Sequence, residues 1–399
     1  MHREPNAHLG SVPVDLESSA ATLGLAGGLV VFIFTVIALS AAVNDLRISS
    51  FSGTAIVAAL TGIISLTVVL LCHRVPRPAA RAAATYIVLV GWMLGLLVID
   101  GATRQGLQFI VVQVAFVSAL LLASTARRVV GGRLDLVVAR CFRFTSSVAI
   151  GSEILGAADA RLNLDSRVIA IVSVLCLGWF LAEYRFGNRT SLWWSLAALL
   201  GIAISLSRIA LFAGVVLVVG TMFLATDKRR TRNVILGLLV VASAVWAVTS
   251  WAPLRDRFFE GDVSFSVAGI NVNGEGRAEV WSVLWSGVQN EPLIGHGPGS
   301  ASARSLLVSP DFDHPHNDYL LVLYDFGVIG LGLLAWFSIR SAKLLRHATK
   351  RARDSIPAVA ALNAGIAVLI IMVTDNPLDY PFVMIPLGAL IGLGVSRLR

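Results

Sequence analysis

The stretch Leu107-Gln-Phe-Ile-Val-Val-Gln-Val-Ala-Phe-Val-Ser-Ala-Leu-Leu-Leu-Ala-Ser124 runs for 18 residues without a charge. A helix rises about 1.5 Å per residue, so a segment of this kind is long enough to cross most of a hydrocarbon core roughly 30 Å thick. Eleven other segments read the same way: Leu23 to Ala42, Phe51 to Leu71, Ala82 to Ile99, Leu134 to Leu155, Val168 to Glu183, Leu192 to Leu206, Ile209 to Ala225, Asn233 to Trp251, Tyr319 to Ile339, Ala358 to Val373 and Phe382 to Ser396. Composition agrees. The 399 residues are 56% hydrophobic and 14% charged, with a mean hydropathy of +0.79, whereas a soluble domain is about one quarter charged. A soluble enzyme is excluded. The expected fold class is all-α, a polytopic transmembrane helical bundle of about 12 spans. The fifth span is the weakest, because Arg140, Arg143 and Glu153 would have to face a protein interior or a water-filled cavity.

A net charge of +8 could signal nucleic-acid binding, so the positions of the 32 Lys and Arg decide its meaning. With spans alternating across the membrane, 21 of them fall in one set of loops and tails. Nine fall in the other set: Arg47, Arg104, Arg161, Arg167, Arg208, Arg255, Arg257, Arg277 and Arg304. The last two, Arg140 and Arg143, lie inside the fifth span. By the positive-inside rule the richer side is cytoplasmic, which puts both termini there and gives the charge no nucleic-acid meaning. Met1 to Ala20 holds Glu4, Asp15 and Glu17 and lacks the basic start of a secretory signal, so it is not expected to be a removed leader. Cys72, Cys141 and Cys176 lie in or beside apolar segments and offer neither a disulfide framework nor a CxxC site.

One outer segment differs in size. Ala252 to Asn317 spans 66 residues, and a loop of that length is functional or disordered. Its aromatic content, Phe258, Phe259, Phe265, Trp281 and Trp285, argues for structure, and Arg277 to Gln289 spaces Val280, Trp281, Leu284, Trp285 and Val288 as a helix face. The expected organisation is spans 1–9 over residues 1–251, a large periplasmic catalytic loop with short helices over 252–317, and spans 10–12 with a cytoplasmic C-terminus over 318–399. No internal repeat is visible, which argues mildly against a transporter built from two repeated halves.

The chemistry concentrates in and around that loop. Asp311-Phe-Asp-His-Pro-His-Asn-Asp-Tyr-Leu320 gathers two histidines and three aspartates just before a span. His316 is the candidate base, since a histidine takes a hydroxyl proton near neutral pH. The alternative is an interfacial helix start capped by Asn317 or Asp318. Metal binding through Asp311, Asp313, His314 and His316 is a further reading, but no supporting ligand from elsewhere is evident. Arg277 opens the loop helix, where a guanidinium beside free backbone amides suits a phosphate oxygen, or else it is a solvated surface arginine. Arg208 lies in the polar break Ile204-Ser-Leu-Ser-Arg-Ile-Ala210, with Ser205 and Ser207 favouring a polar pocket over snorkelling to head groups. Gly295-His-Gly-Pro-Gly-Ser300 could form an anion nest from successive amides, or simply a turn.

Together these residues form a pattern. Ser207-Arg208 at a span junction, Arg277 and Trp281 in the loop helix, Pro292-Leu-Ile-Gly295-His-Gly297-Pro-Gly299, and His314-x-His316-Asn317-x-x-Leu320 leading to Phe326-Gly327-x-x-Gly330-Leu331 resemble the O-antigen ligase and polymerase superfamily. The resemblance is best from about Leu192 to Ile339. It implies a membrane glycosyltransferase without cofactor or metal, acting at the periplasmic face of the bacterial inner membrane. Its donor would be an undecaprenyl-diphosphate-linked glycan, and its acceptor a lipid A core or another glycan. Arg208 and Arg277 would hold the pyrophosphate and His316 would be the base. His314, Asn317, Asp318, Trp281 and Asp325 are the residues expected to assist. Where the family commonly has Glu before the Phe-Gly pair, this chain has the shorter Asp325.

A polymerase of the same superfamily is the nearest alternative function, and an exporter of lipid-linked oligosaccharide is the alternative of another class. The topology is open to direct test. Alkaline phosphatase fused after Asn290 should be active and the same fusion after Arg128 inactive; the reverse pattern would invert the expected orientation.

Overall fold

A computed structural model describes residues 16–40, 47–48, 51–72, 75–101, 103–156, 166–223, 230–260, 265–267, 270–272, 276–310, 312, 314–351, 355–396 and 398. Helix α1 (Leu16–Phe32) runs into a π-helical turn, Ile33–Ile37. It is followed by α2 (Gly53–Cys72), α3 (Arg77–Asp100), α4 (Arg104–Val130), α5 (Arg133–Gly156), α6 (Ser166–Arg185), α7 (Thr190–Ile204), α8 (Arg208–Phe223) and α9 (Arg230–Ser250). Three short helices come next, α10 (Ala252–Phe259), α11 (Arg277–Asn290) and α12 (Ser300–Val308), and then α13 (Asp318–Arg351), α14 (Ile356–Ile371) and α15 (Pro381–Val395).

Among the described residues, each of the twelve apolar segments read from the sequence has its main part on a helix. Six helices among the described residues, α2, α3, α4, α6, α9 and α13, are long and apolar enough to cross a bilayer. Residues 24–37 and helices α7, α8, α14 and α15 are shorter apolar helices of 10–17 residues. Helix α5 forms over 24 residues in spite of its charges. Arg143 reaches Glu183 of α6 at 3.1 Å, as a charge inside the bundle requires. Arg140 is exposed instead of facing inward. It lies seven residues into α5, about 10 Å from the helix start, which is close enough for a long side chain to snorkel.

Two other departures have physical causes. The all-α expectation misses two short antiparallel ladders, Arg47–Ile48 with Phe51–Ser52 and Phe265–Val267 with Ile270–Val272. The second pairs alternating apolar and polar residues, Phe265 with Val272 and Ser266 with Asn271, a two-residue period favouring a strand. The basic segment after the tenth span is also not a loop. Helix α13 continues to Arg351 with Ser341, Leu345 and Ala348 buried along one side, so the cations ride on an amphipathic extension. Its 34 residues are broken by the non-helical Gly327, so that a short first segment meets a longer second one at a kink.

The bundle is held by close packing, since lipid offers little hydrophobic drive for one helix to leave it for another. Helix α15 lies directly on α4. A Cβ at Gly388 would collide with the Phe116 carbonyl and one at Gly392 with the Leu120 carbonyl. Tyr86, Phe116 and Phe337 tie α3, α4 and α13 together, with ring centroids 4.5 and 4.6 Å from Tyr86. At the far end of α4, buried Arg127 pairs with Asp135 and donates to the Leu393 carbonyl at 3.0 Å. Replacing Gly392 with Leu should force α15 off α4 and cost about 1–3 kcal/mol or more, read as a lower unfolding midpoint of detergent-purified protein; an unchanged midpoint would refute this contact.

Candidate functional site

The site residues meet where the starts of α4, α6 and α13 approach the α14–α15 connection. The connection is short: Met372 to Asn376 and a single 3-10 turn, Pro377–Asp379. It is pinned from below by Asp318, the first residue of α13. Asp318 is fully buried, and its two carboxylate oxygens accept from Asn376 Nδ2 at 3.0 Å and from the Leu378 amide at 2.8 Å. The Asp318 amide in turn donates to the Met372 carbonyl at 2.9 Å. Asn317 caps α13, its Oδ1 accepting from the Leu320 amide at 3.0 Å. Both residues therefore position the segment, Asp318 through its two carboxylate oxygens and Asn317 through Oδ1.

His316 stands on this platform in a left-handed conformation, with φ of 49°. A non-glycine residue there costs of order 1–3 kcal/mol and persists only where its surroundings over-determine it. The surroundings are visible. The preceding Pro315 carbonyl accepts from Trp281 Nε1 at 2.7 Å, and the following Asn317 is the helix cap. His316 is 5% exposed, and its Nδ1 lies 3.9 Å from Asp375 Oδ1 in the α14–α15 connection. That Asp375 oxygen also accepts from the Asn376 amide at 2.8 Å and the Tyr380 hydroxyl at 3.0 Å.

Arg277 joins the same group. It is the first residue of α11, behind Gly276 in a left-handed turn, and its guanidinium donates to the Thr374 carbonyl at 3.2 Å. A cation and a histidine from one loop thus converge on consecutive residues, Thr374 and Asp375, of another. Helix α11 buries Val280, Leu284 and Val288 as the spacing predicts, while Trp285, assigned to the same face, is exposed. Arg208 is held separately, at the start of α8, with its guanidinium 5.9 Å from the Phe258 ring of α10.

His314 faces a different carboxylate. Its Nε2 is 3.3 Å from Asp379 Oδ2 and its Nδ1 is 3.1 Å from Ser302 Oγ. The two histidines therefore turn to separate aspartates, an arrangement unlike a shared metal site. Asp311 and Asp313, the other members of that reading, lie outside the described residues. Among the described residues no three His, Cys, Asp or Glu side chains gather in metal-binding geometry.

The glycine cluster resolves as a strap, and its anion comes from the chain itself. Gly295, Gly297 and Gly299 all adopt φ between 82° and 85°; the Gly295 amide donates to the Glu291 carbonyl at the end of α11, and those of Gly297 and Gly299 meet α13. The Asp325 carboxylate accepts from the Gly299 amide at 2.8 Å and the Ala301 amide at 2.6 Å, capping α12. His296 and Gly297 donate to the Tyr324 and Asp325 carbonyls, and α13 bends at Gly327, φ 64°, to leave room for Leu293. The shorter carboxylate at position 325 reaches its partners.

Asp375, Asp379 and Arg167 were not singled out by the sequence. Two aspartates in a six-residue polar break, Thr374 to Asp379, are the signal that could have found the first two. Arg167, at the start of α6, acts on Asp375 through its charge. Burial pushes the Asp375 carboxyl up, but His316, the Asn376 amide and Arg167 together hold it below its ordinary value. A carboxyl held low contributes stability that is complete above its unfolded value near 4 and is lost as pH falls through the lower folded value. Asp375→Asn should therefore lower thermal stability at pH 7, by about 1 kcal/mol, with the gap closing in acid; a gap that persists or grows in acid would contradict the charge argument.

Residues 193–335 match the family model described as O-Antigen ligase. The matched segment runs from α7 into α13 and contains Arg208, Arg277, Trp281, His314, His316, Asn317, Asp318 and Asp325, while Asp375 and Asp379 lie beyond it. No curated protein matches the chain. Over that segment, in a chain of apolar helices, the protein is similar to the O-antigen ligase family.

Proposed function

We propose that the protein is an integral-membrane glycosyltransferase that moves a saccharide from undecaprenyl diphosphate onto a sugar hydroxyl. The observation that carries this reading is the convergence of Arg277 and His316 on Thr374 and Asp375. Charge neutralisation for a diphosphate and a base for a hydroxyl are the two things such a transfer needs.

In the proposed reaction an acceptor hydroxyl attacks the anomeric carbon from the side opposite the diphosphate. The new bond joins acceptor oxygen to anomeric carbon, and the bond from that carbon to the phosphate oxygen breaks, inverting the centre. The hydroxyl proton passes to Nε2 of His316, and the bonding electron pair leaves on the diphosphate, whose charge Arg277 and Arg208 offset. Asp375, ionised and facing Nδ1 at 3.9 Å, beyond hydrogen-bond distance, opposes the charge the ring gains. No metal or other cofactor is required in this scheme, since arginine forks supply the positive charge.

The same reading places about 12 spans in the bacterial inner membrane, with both termini cytoplasmic and segment 252–317 on the periplasmic face. A lipid A core is the proposed acceptor, which makes the protein a ligase. A polymerase would use another lipid-linked repeat unit, and the family match accommodates it. An apolar cleft of about 100 Å³ between α13, α14 and α15 runs to Met372 and Leu378, on either side of the His316 platform, and suits a lipid-linked donor better than a soluble one.

With lipid-reconstituted protein, His316→Ala should lower transfer by about 10² to 10⁴ while donor still binds. Arg208→Ala and Arg277→Ala should each weaken donor binding roughly tenfold to a hundredfold, the worth of a charged hydrogen bond. Activity should survive excess chelator. Undiminished transfer by His316→Ala would remove the base assignment, and chelator inhibition would restore a metal.

A further inference from the structure

A small polar cavity of about 20 Å³ opens beside His314. Its walls come from three sides: Gln105, Gln108 and Phe109 of α4, Ser302 of α12, and Asp379 beside His314. The volume is about that of one water-sized group. The polar inventory is unusual for so small a space. Asp325 borders it but has both oxygens committed to the Gly299 and Ala301 amides, and Asp379 is engaged by His314. The amide nitrogen of Gln108 is buried and makes no hydrogen bond among the described residues. A buried amide without a partner costs about 1–3 kcal/mol, so the site is built for something that supplies one.

The ligand chemistry follows from the walls. Two carboxylates at the rim repel a phosphate, and their engagement by amides and His314 leaves little uncompensated charge for a cation. Gln108 offers a donor, and Asp379 and Ser302 offer oxygens, so the fitting group is one that both accepts and donates and is no larger than a water. A hydroxyl is that group. Phe109 provides the apolar wall against which the carbon carrying it would lie.

We propose that this cavity is the pocket that receives one hydroxyl of the sugar handled at the His316 site, with Gln108 donating to it and Asp379 accepting from it. The inference rests on the glycan-transfer reading and names a specificity determinant within it. A pocket that hydrogen-bonds a substrate hydroxyl discriminates strongly against a sugar lacking it, because the buried partners are then left unpaired.

The test uses the full-length protein in lipid, with lipid-linked glycan and acceptor extracted from the membranes of the source cells. Gln108→Leu should raise KM for the glycan-bearing substrate about tenfold or more while changing kcat less than about threefold. Inhibition by undecaprenyl diphosphate carrying no sugar should be the same in both proteins. If Gln108→Leu does not accumulate in the membrane, Gln108→Asn, which keeps the amide one methylene shorter, should show the same KM shift in smaller measure. An unchanged KM would mean that the cavity holds only a structural water and would overturn the proposal. Inhibition by the sugar-free lipid moving in parallel with KM would overturn it too, by placing the effect at the diphosphate. Wild-type protein that transfers no glycan would instead bring down the glycan-transfer reading, and the hydroxyl pocket with it.

Discussion

Two buried carboxylates on one side of α13 hold the site together. Asp318 and Asp325 are seven residues apart, two helical turns, and so share a face. A buried carboxylate is costly unless several donors satisfy it. Asp318 draws in the Asn376 side chain and the Leu378 amide, and Asp325 draws in the amides of Gly299 and Ala301. The first fixes the connection that carries Asp375 and Asp379, and the second fixes the strap that leads into α12 and Ser302. His316, two residues before Asp318, lies between segments that α13 has already placed. The helix is thus both a membrane rod and the template on which two separate loops are registered.

The rest of the bundle serves that rod by excluding volume. Helices α4 and α15 meet through glycine, and Trp92 of α3 donates to the Phe326 carbonyl at 3.1 Å, beside the bend at Gly327 where the ordinary helical acceptor pattern is broken. Polar groups within the bundle follow the same economy. Gln113 accepts from the Tyr86 hydroxyl and donates to the Leu378 carbonyl at 2.7 Å, which ties the aromatic cluster to the underside of the site.

The helices were legible because hydropathy is a local property, and the start of α11 at Arg277 was legible because its apolar spacing is local too. Arg277, Trp281, His314 and His316 lie close together in the sequence and read as a group. Their partners do not. Arg277 bonds to a residue 97 positions away and Asp318 to residues 58 and 60 away, and a single sequence carries no mark of such pairings. Asp318 and Asp325 stand out in the sequence, but their work as clamps depends on donors contributed by distant turns. The basic end of α13 reads by its charge as a connection between spans, while the buried stripe of Ser341, Leu345 and Ala348 makes it helix.

The separation of the parts along the chain has a consequence for synthesis. Arg277 and His316 emerge from the ribosome well before Asp375, Asp379 and the last helix, α15, which α4 must wait for to complete its packing. During insertion His316 exists without Asp375 beside it, and the Asp318 clamp is empty until the segment around Asn376 arrives. Assembly of this cluster is therefore a late event that reports on the whole bundle, and until then its side chains stay scattered along the nascent chain.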